Sequence, residues 1–177
     1  MRSLYLLLLT ASLMLAQKYN VGRPPTPEEE KAWDISISPA GKELPPGSGT
    51  VAEGKEVFSR RCQRCHGEAG KGGDEAALVG GKGSLTSPKP LKTVGSYWPY
   101  ATTLFDYVRR AMPLKDPGTL TPAQVYAVSA YILNLNGIIG ENEAMNAQTL
   151  PKVKMPNRDN FIPDPRPDTG KKAARKP

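Results

Sequence analysis

The sequence predicts an all-α domain flanked by extended, proline-rich arms. Three observations carry this reading. Apolar residues recur at helical spacing in three mid-chain segments, and helix start and stop signals bracket those segments. Proline and glycine, 18 and 17 of the 177 residues, fall largely outside them.

The first element is short. Thr26-Pro27-Glu28-Glu29 reads as a helix start, with Thr26 as N-cap, Pro27 in the first turn and Glu29 at the capping-box position, and the helix runs to about Trp33. The remainder of residues 17–50, with Pro24-Pro25, Pro39 and Pro45-Pro46-Gly47, reads as extended chain on the surface of a core. That core opens at Val51. Over residues 51–62, Gly54, Val57, Phe58 and Cys62 fall on overlapping faces of a helix. Glycine inside a helix costs about 1 kcal/mol relative to alanine, so Gly54 predicts close approach of a second helix.

This helix runs into Cys62-Gln63-Arg64-Cys65-His66, which uses both cysteines and the one histidine of the chain. The pattern C-x-x-C-H is the attachment signature for c-type haem. Two thiols three positions apart reach the two vinyl groups of one porphyrin as thioethers, and the next residue, His66, is held against the iron. The competing readings are weaker. A redox dithiol wants a βαβ surround that is absent, a zinc site lacks its second pair of ligands, and a disulfide leaves His66 unexplained. Haem c, one per chain and covalent, is the cofactor expected.

Residues 67–90 are loop-rich, with Gly70, Gly72-Gly73, Gly80-Gly81 and Gly83, and read as a segment wrapping the haem edge, where small residues fit. A helix over residues 99–112 follows, with Pro99 in its first turn and Ala101, Leu104, Phe105, Val108 and Met112 as its apolar stripe. Pro113 ends it, because the residue before a proline is pushed out of the helical region. Thr121-Pro122-Ala123-Gln124 is a second capping box. Its helix carries Val125, Val128, Ile132 and Leu135 on one face, runs to about Asn136 and is stopped by Gly137. Beyond Ile139 the periodicity fades, and Pro151, Pro156, Pro163, Pro165 and Pro167 mark an extended arm. The expected division is therefore 1–16, 17–50, a domain at 51–140, and an arm at 141–177.

Residues 1–16 read as a secretory signal peptide. Arg2 is the positive start, residues 4–15 are apolar except for Thr10 and Ser12, and Ala16 is small at the cleavage point. The run is shorter than the ~20 apolar residues a membrane span needs. The expected location is the periplasm, or otherwise outside the cytoplasm, in soluble form. The formal charge of +7 favours acidic partners. It does not argue for nucleic acid, since no basic helix with interleaved aromatics appears.

An electron-transfer haem needs a second axial ligand, and no histidine remains. Methionine is the usual alternative. Outside the leader the candidates are Met112, Met145 and Met155. Met112, at a helix end and stiffened by Pro113, is best placed. Met155-Pro156 repeats the local pattern and is the runner-up, and an open five-coordinate iron is the remaining alternative.

Gly54-x-x-x-Phe58-x-x-x-Cys62-x-x-Cys65-His66, the downstream Met112-Pro113, and Val128-x-x-Tyr131 in the last helix together resemble a class I monohaem cytochrome c. More narrowly, Gly95-Ser96-Tyr97-Trp98-Pro99 through Arg109-Arg110-Ala111-Met112-Pro113 is similar to cytochrome subunits that accompany molybdenum sulfur or sulfite dehydrogenases of the sulfur-oxidation (Sox) system. So are Val21-Gly22-Arg23-Pro24, Leu44-Pro45-Pro46-Gly47-Ser48-Gly49 and the tail from Met155-Pro156-Asn157 through Phe161-Ile162-Pro163-Asp164. The resemblance implies the class I cytochrome c fold, in which the glycine and aromatic of the first helix cross the aliphatic and aromatic of the last. It implies thioethers at Cys62 and Cys65, iron ligation by His66 and Met112, and haem-propionate partners at Tyr97, Trp98 and Arg109. It also implies an electron-transfer protein with no catalytic residue. Such a protein takes electrons one at a time from a molybdenum-containing sulfur or sulfite dehydrogenase subunit and passes them to a downstream cytochrome or oxidase. The rival reading is a haem enzyme or gas sensor with an open iron site, and the chain offers no second histidine to serve as its distal acid or base.

Overall fold

The computed structural model describes residues 21–163. The expected signal peptide at 1–16 and the basic end of the chain lie outside the described residues. Two compact units are distinguished, divided after Ile35.

The first unit holds helix α1, Pro27–Trp33. Its capping box forms as expected: Glu29 N–H donates to Thr26 Oγ1 at 3.3 Å, and Thr26 N–H to Glu29 Oε2 at 2.8 Å. Arg23 adds a two-pronged pair to the Glu29 carboxylate at 2.6 and 2.7 Å. None of its residues is buried, and Trp33 is 86% exposed.

The second unit contains strand β1 (Ser48–Thr50), helix α2 (Val51–Arg61), a single turn α3 (Gln63–His66), helix α4 (Ala101–Ala111), helix α5 (Pro122–Leu135) and strand β2 (Ala144–Asn146). Two 3₁₀ turns, Ser84–Thr86 and Leu150–Lys152, complete it. Among the described residues no helix is long and apolar enough to cross a membrane.

α2 crosses α5 at Gly54, where a side-chain methyl would collide with the Ala127 carbonyl and the Tyr131 side chain. The close approach expected from the sequence is thus made, and Phe58 meets Tyr131 one turn on, with ring centroids 5.3 Å apart. α4 packs on the other side of α5 through Phe105 and Tyr126, 4.4 Å between centroids. Phe58, Leu104, Phe105, Val125, Val128 and Leu133 are all at most 2% exposed and belong to one core. α5 starts at its Thr121–Gln124 capping box and ends before Gly137, whose φ of +66° only glycine adopts cheaply.

α4 starts later than the sequence suggests. Pro99 lies ahead of the helix, and Tyr100 is its N-cap with extended backbone. Its end is as expected: Met112, before Pro113, is the extended C-cap at φ −123°, ψ 148°.

The arms carry structure that periodicity did not reveal. β1 and β2 pair antiparallel, Gly49 opposite Met145, so the chain entering α2 and the chain leaving α5 are joined. Thr50 closes β1 and also caps α2, accepting from Glu53 N–H at 3.2 Å. Met145, Leu150 and Met155 are at most 2% exposed, and Ile37 and Leu44 join the same core from the other arm.

Candidate haem site

Cys62 caps α2 by donating its N–H to Phe58 O at 2.8 Å. The Cys62 carbonyl then accepts from Cys65 N–H at 3.1 Å and from His66 N–H at 3.0 Å, which winds the turn α3. Residues three apart on one helical turn share a face, so the two thiols are presented together and are not joined to each other. Cys62 is half-buried against the core and Cys65 is exposed. Burial pushes the Cys62 thiol up to about 11, with Cys65 adding to the rise and Arg61 opposing it, so an unreacted Cys62 stays protonated at neutral pH.

The loop after the motif folds back on it. Glu75 N–H donates to Cys65 O at 2.9 Å, and Leu78 N–H to Gly70 O at 2.8 Å. These ties bring the Ala76 carbonyl to 2.9 Å from His66 Nδ1. A carbonyl only accepts, so Nδ1 carries the proton in this contact. Nε2 then keeps its lone pair and is free to bind a metal. The single histidine is therefore held in the tautomer and orientation a ligand needs.

The other predicted positions are distributed around this turn. Met112 is half-buried at the C-cap of α4 and packs at the edge of the core. Met145 and Met155, at 2% and 1% exposure, lie within the core. Tyr97 and Trp98 are half-buried but face different neighbours. Tyr97 stands edge-on to Phe161 at 5.4 Å with the Lys92 ammonium 5.0 Å from its ring centre, and Trp98 stands edge-on to Tyr107 at 5.8 Å. Arg109 sits within electrostatic reach of the buried Tyr126 phenol, which donates to Pro45 O at 2.8 Å. Arg110, beside it, pairs with Asp106 on its own helix. Among the described residues Tyr97, Trp98 and Arg109 thus contact different neighbours.

Sequence reading missed two contributors. The Ala76 carbonyl is a backbone group with no side-chain signature. Asn136, read only as the last residue of its helix before the stop at Gly137, turns its amide onto the loop that carries Ala76.

The profile of the cytochrome c family matches residues 51–136, the stretch from the start of α2 to the end of α5. A chain of the sulfane dehydrogenase SoxCD from Paracoccus pantotrophus is 42% identical and superposes with a TM-score of 0.75, covering 86% of this chain and 76% of that one. The chain belongs to the cytochrome c family. This cytochrome is also similar to a thiosulfate dehydrogenase of Stutzerimonas stutzeri (strain A1501), 27% identical over 113 residues. That match takes in 56% of this chain and 35% of the other, so the cytochrome spans about a third of the length of that curated relative. The family carries covalent haem c, and Cys62 and Cys65 fit its attachment motif. The donor set agrees: two unpaired thiols on one turn and an imidazole with a free Nε2. This cytochrome c is an electron-transfer domain related to the cytochrome subunits of sulfur dehydrogenases.

Proposed function

We propose that this cytochrome c is the haem subunit, or a dedicated carrier, that accepts electrons one at a time from an exported sulfur-compound dehydrogenase. The observation that supports the reading most is the 42% identity to a sulfane dehydrogenase chain over 86% of this one, a share that residues 51–136 alone cannot fill. The arms as well as the domain therefore resemble that protein.

In this reading Cys62 and Cys65 would hold the porphyrin as thioethers, His66 Nε2 and the Met112 sulfur would bind the iron, and Tyr97, Trp98 and Arg109 would serve its propionates. When bound, the haem supplies a one-electron ferric/ferrous couple. The protein's part is to keep both ligands in place in either state. The Ala76 carbonyl fixes the imidazole plane, and the extended C-cap before Pro113 restricts the Met112 backbone. Oxidation of the sulfur substrate belongs to the partner, taken from the resemblance to be a molybdenum-containing subunit. A cytochrome or oxidase outside the cytoplasm receives the electron. Basic surface charge speeds encounters with acidic partners.

The test is purification from the native source followed by molybdenum assay and stopped-flow reduction. We expect the cytochrome to co-purify with a molybdenum protein, and its haem to be reduced by sulfite, thiosulfate or a protein-bound sulfane only when that protein is present. Equally fast reduction of the isolated cytochrome by any of these compounds would sink the proposal.

A further inference from the structure

We propose that Asn136, at the C-terminal end of α5, is a positioning residue for the His66 imidazole and, through it, for the reduction potential of the iron. The inference rests on His66 being the proximal ligand, as read above. It adds a residue that neither the attachment motif nor the ligand set contains.

The geometry is a chain of tethers. Asn136 Nδ2 donates to Leu78 O at 3.2 Å and to Ile132 O of its own helix at 2.9 Å, while its Oδ1 accepts from Gly80 N–H at 3.3 Å. One side chain thus grips two peptide groups in the loop whose Ala76 carbonyl accepts from His66 Nδ1. The Gly80 peptide is held from its other side by Thr93 Oγ1, which donates to Gly80 O at 2.7 Å, and Thr93 is itself fixed by its N–H bond to Ser96 Oγ at 2.9 Å. Buried Gly95 leaves the amide its room, since a methyl there would strike Asn136.

The placement matters because of what the two ends hang from. His66 hangs from the end of α2, and its acceptor Ala76 is tied by Asn136 to the end of α5. α2 and α5 are locked together at Gly54 and Ala127. Both partners of the 2.9 Å His66···Ala76 bond are therefore referenced to one rigid crossing. A cavity of about 270 Å³ lies against Gly80 and Asn136, with Lys82 and Lys154 in its wall. Once the amide is removed, water can enter from it and solvate the loop carbonyls, releasing Ala76.

The direction of the effect follows from the ligand chemistry. A carbonyl accepting from Nδ1–H makes the imidazole a stronger donor to the metal, which favours ferric iron. Loosening it favours ferrous iron, so the potential rises. We expect Asn136→Ala to shift the ferric/ferrous equilibrium about threefold toward ferrous. At 59 mV per decade for one electron, that is about 30 mV. We also expect the His66 Nδ1 proton, followed by NMR in the ferrous protein, to exchange at least tenfold faster.

The control is Asn134→Ala. Asn134 lies on the same helix end and donates to Ile139 O at 3.1 Å, away from the loop. It should leave both readouts unchanged. An equal shift in this control means general loosening of the helix end and overturns the proposal. So does a folded Asn136→Ala holoprotein with wild-type potential and exchange. If Asn136→Ala yields no holoprotein, Asn136→Asp keeps the acceptor for Gly80 and removes the donor to Leu78. Faster Nδ1 exchange in that variant supports the tether, and unchanged exchange overturns it. Failure of the ligand reading itself looks different: the wild-type protein would then lack haem-shifted His66 ring signals altogether.

Discussion

Met112 and Met155 make opposite predictions, because one side chain sits at the edge of the core and the other inside it. Met155 is 1% exposed and lies in the same cluster as Leu104 and Leu150. Met155→Ala removes three heavy atoms from that cluster. Transfer loss plus an imperfectly collapsed cavity puts the cost at about 2–5 kcal/mol. For a domain of this size, about 3 kcal/mol lowers the Tm by roughly 10 °C. Met112 is half-buried, so its packing contribution is smaller, on the order of 1 kcal/mol. Under the proposed ligation its larger effect would be on the iron, since loss of a thioether ligand lowers the potential. The assay is urea unfolding of the ferric holoprotein by circular dichroism, alongside the weak red absorption band that marks iron–thioether bonding. We expect Met155→Ala to lose stability and keep the band. We expect Met112→Ala to lose the band and titrate at a lower potential. The reverse pattern, with the band lost in Met155→Ala and kept in Met112→Ala, would refute the reasoning and move the ligand into the arm.

Replacing either Cys62 or Cys65 by Ser should leave one thioether at most, and acid–organic extraction of the small holoprotein yield will show it. In the wild type the colour should stay with the chain, and the mass should exceed the polypeptide by one haem. Gly54→Val forces a branched side chain into the Ala127 carbonyl and should cost about 3 kcal/mol or prevent folding; a wild-type denaturation midpoint would contradict the crossing described here. Thr50→Ala removes the α2 capping box at a cost of about 1 kcal/mol at neutral pH. Hydrogen bonds from the Thr50 backbone and side chain hold the Glu53 carboxyl below its ordinary value. The carboxylate's contribution is therefore present above the ordinary carboxylate range and lost as pH falls through the lowered value. The wild-type advantage over Thr50→Ala should accordingly shrink in acid, as paired urea titrations at neutral and acid pH will register. Deleting residues 142–177 takes away β2 together with Met145, Leu150 and Met155; the shortened chain should fail to fold, whereas deleting only 164–177 should leave the haem spectrum intact.

The domain was legible in the sequence because its signals are local or periodic. The Thr26 and Thr121 capping boxes, the stop at Gly137 and the stripe on α5 each follow from residues within one or two turns of each other. Gly54 was legible as a cost without a local reason, which pointed to a neighbouring helix. The attachment turn was read from five consecutive residues. The arm was not legible as core, because Met145, Leu150 and Met155 are spaced by five, a repeat that matches neither helix nor strand, and they sit in strand β2, a 3₁₀ turn and the segment beyond it, respectively. β1 and β2 are three residues each, too short for alternation to register. The support of His66 was hidden for a different reason: it runs through the Ala76, Leu78 and Gly80 backbone, which any sequence possesses, and through an asparagine that reads only as the last residue of a helix.

These gaps bear on how the arms act. Residues 144–157 complete the core, so they cannot peel away to grip a partner without exposing Leu150 and Met155 to water. At roughly 2–3 kcal/mol for each large apolar side chain so exposed, detachment would consume much of the stability of a domain this size. The chain available for contact with another protein is what this anchoring leaves outside. Phe161, 49% exposed, is braced edge-on against Tyr97, and Ile162 beside it is 84% exposed. α1 likewise buries none of its own residues. A stable complex with a dehydrogenase would therefore draw on these exposed residues, with residues 144–157 kept in the core.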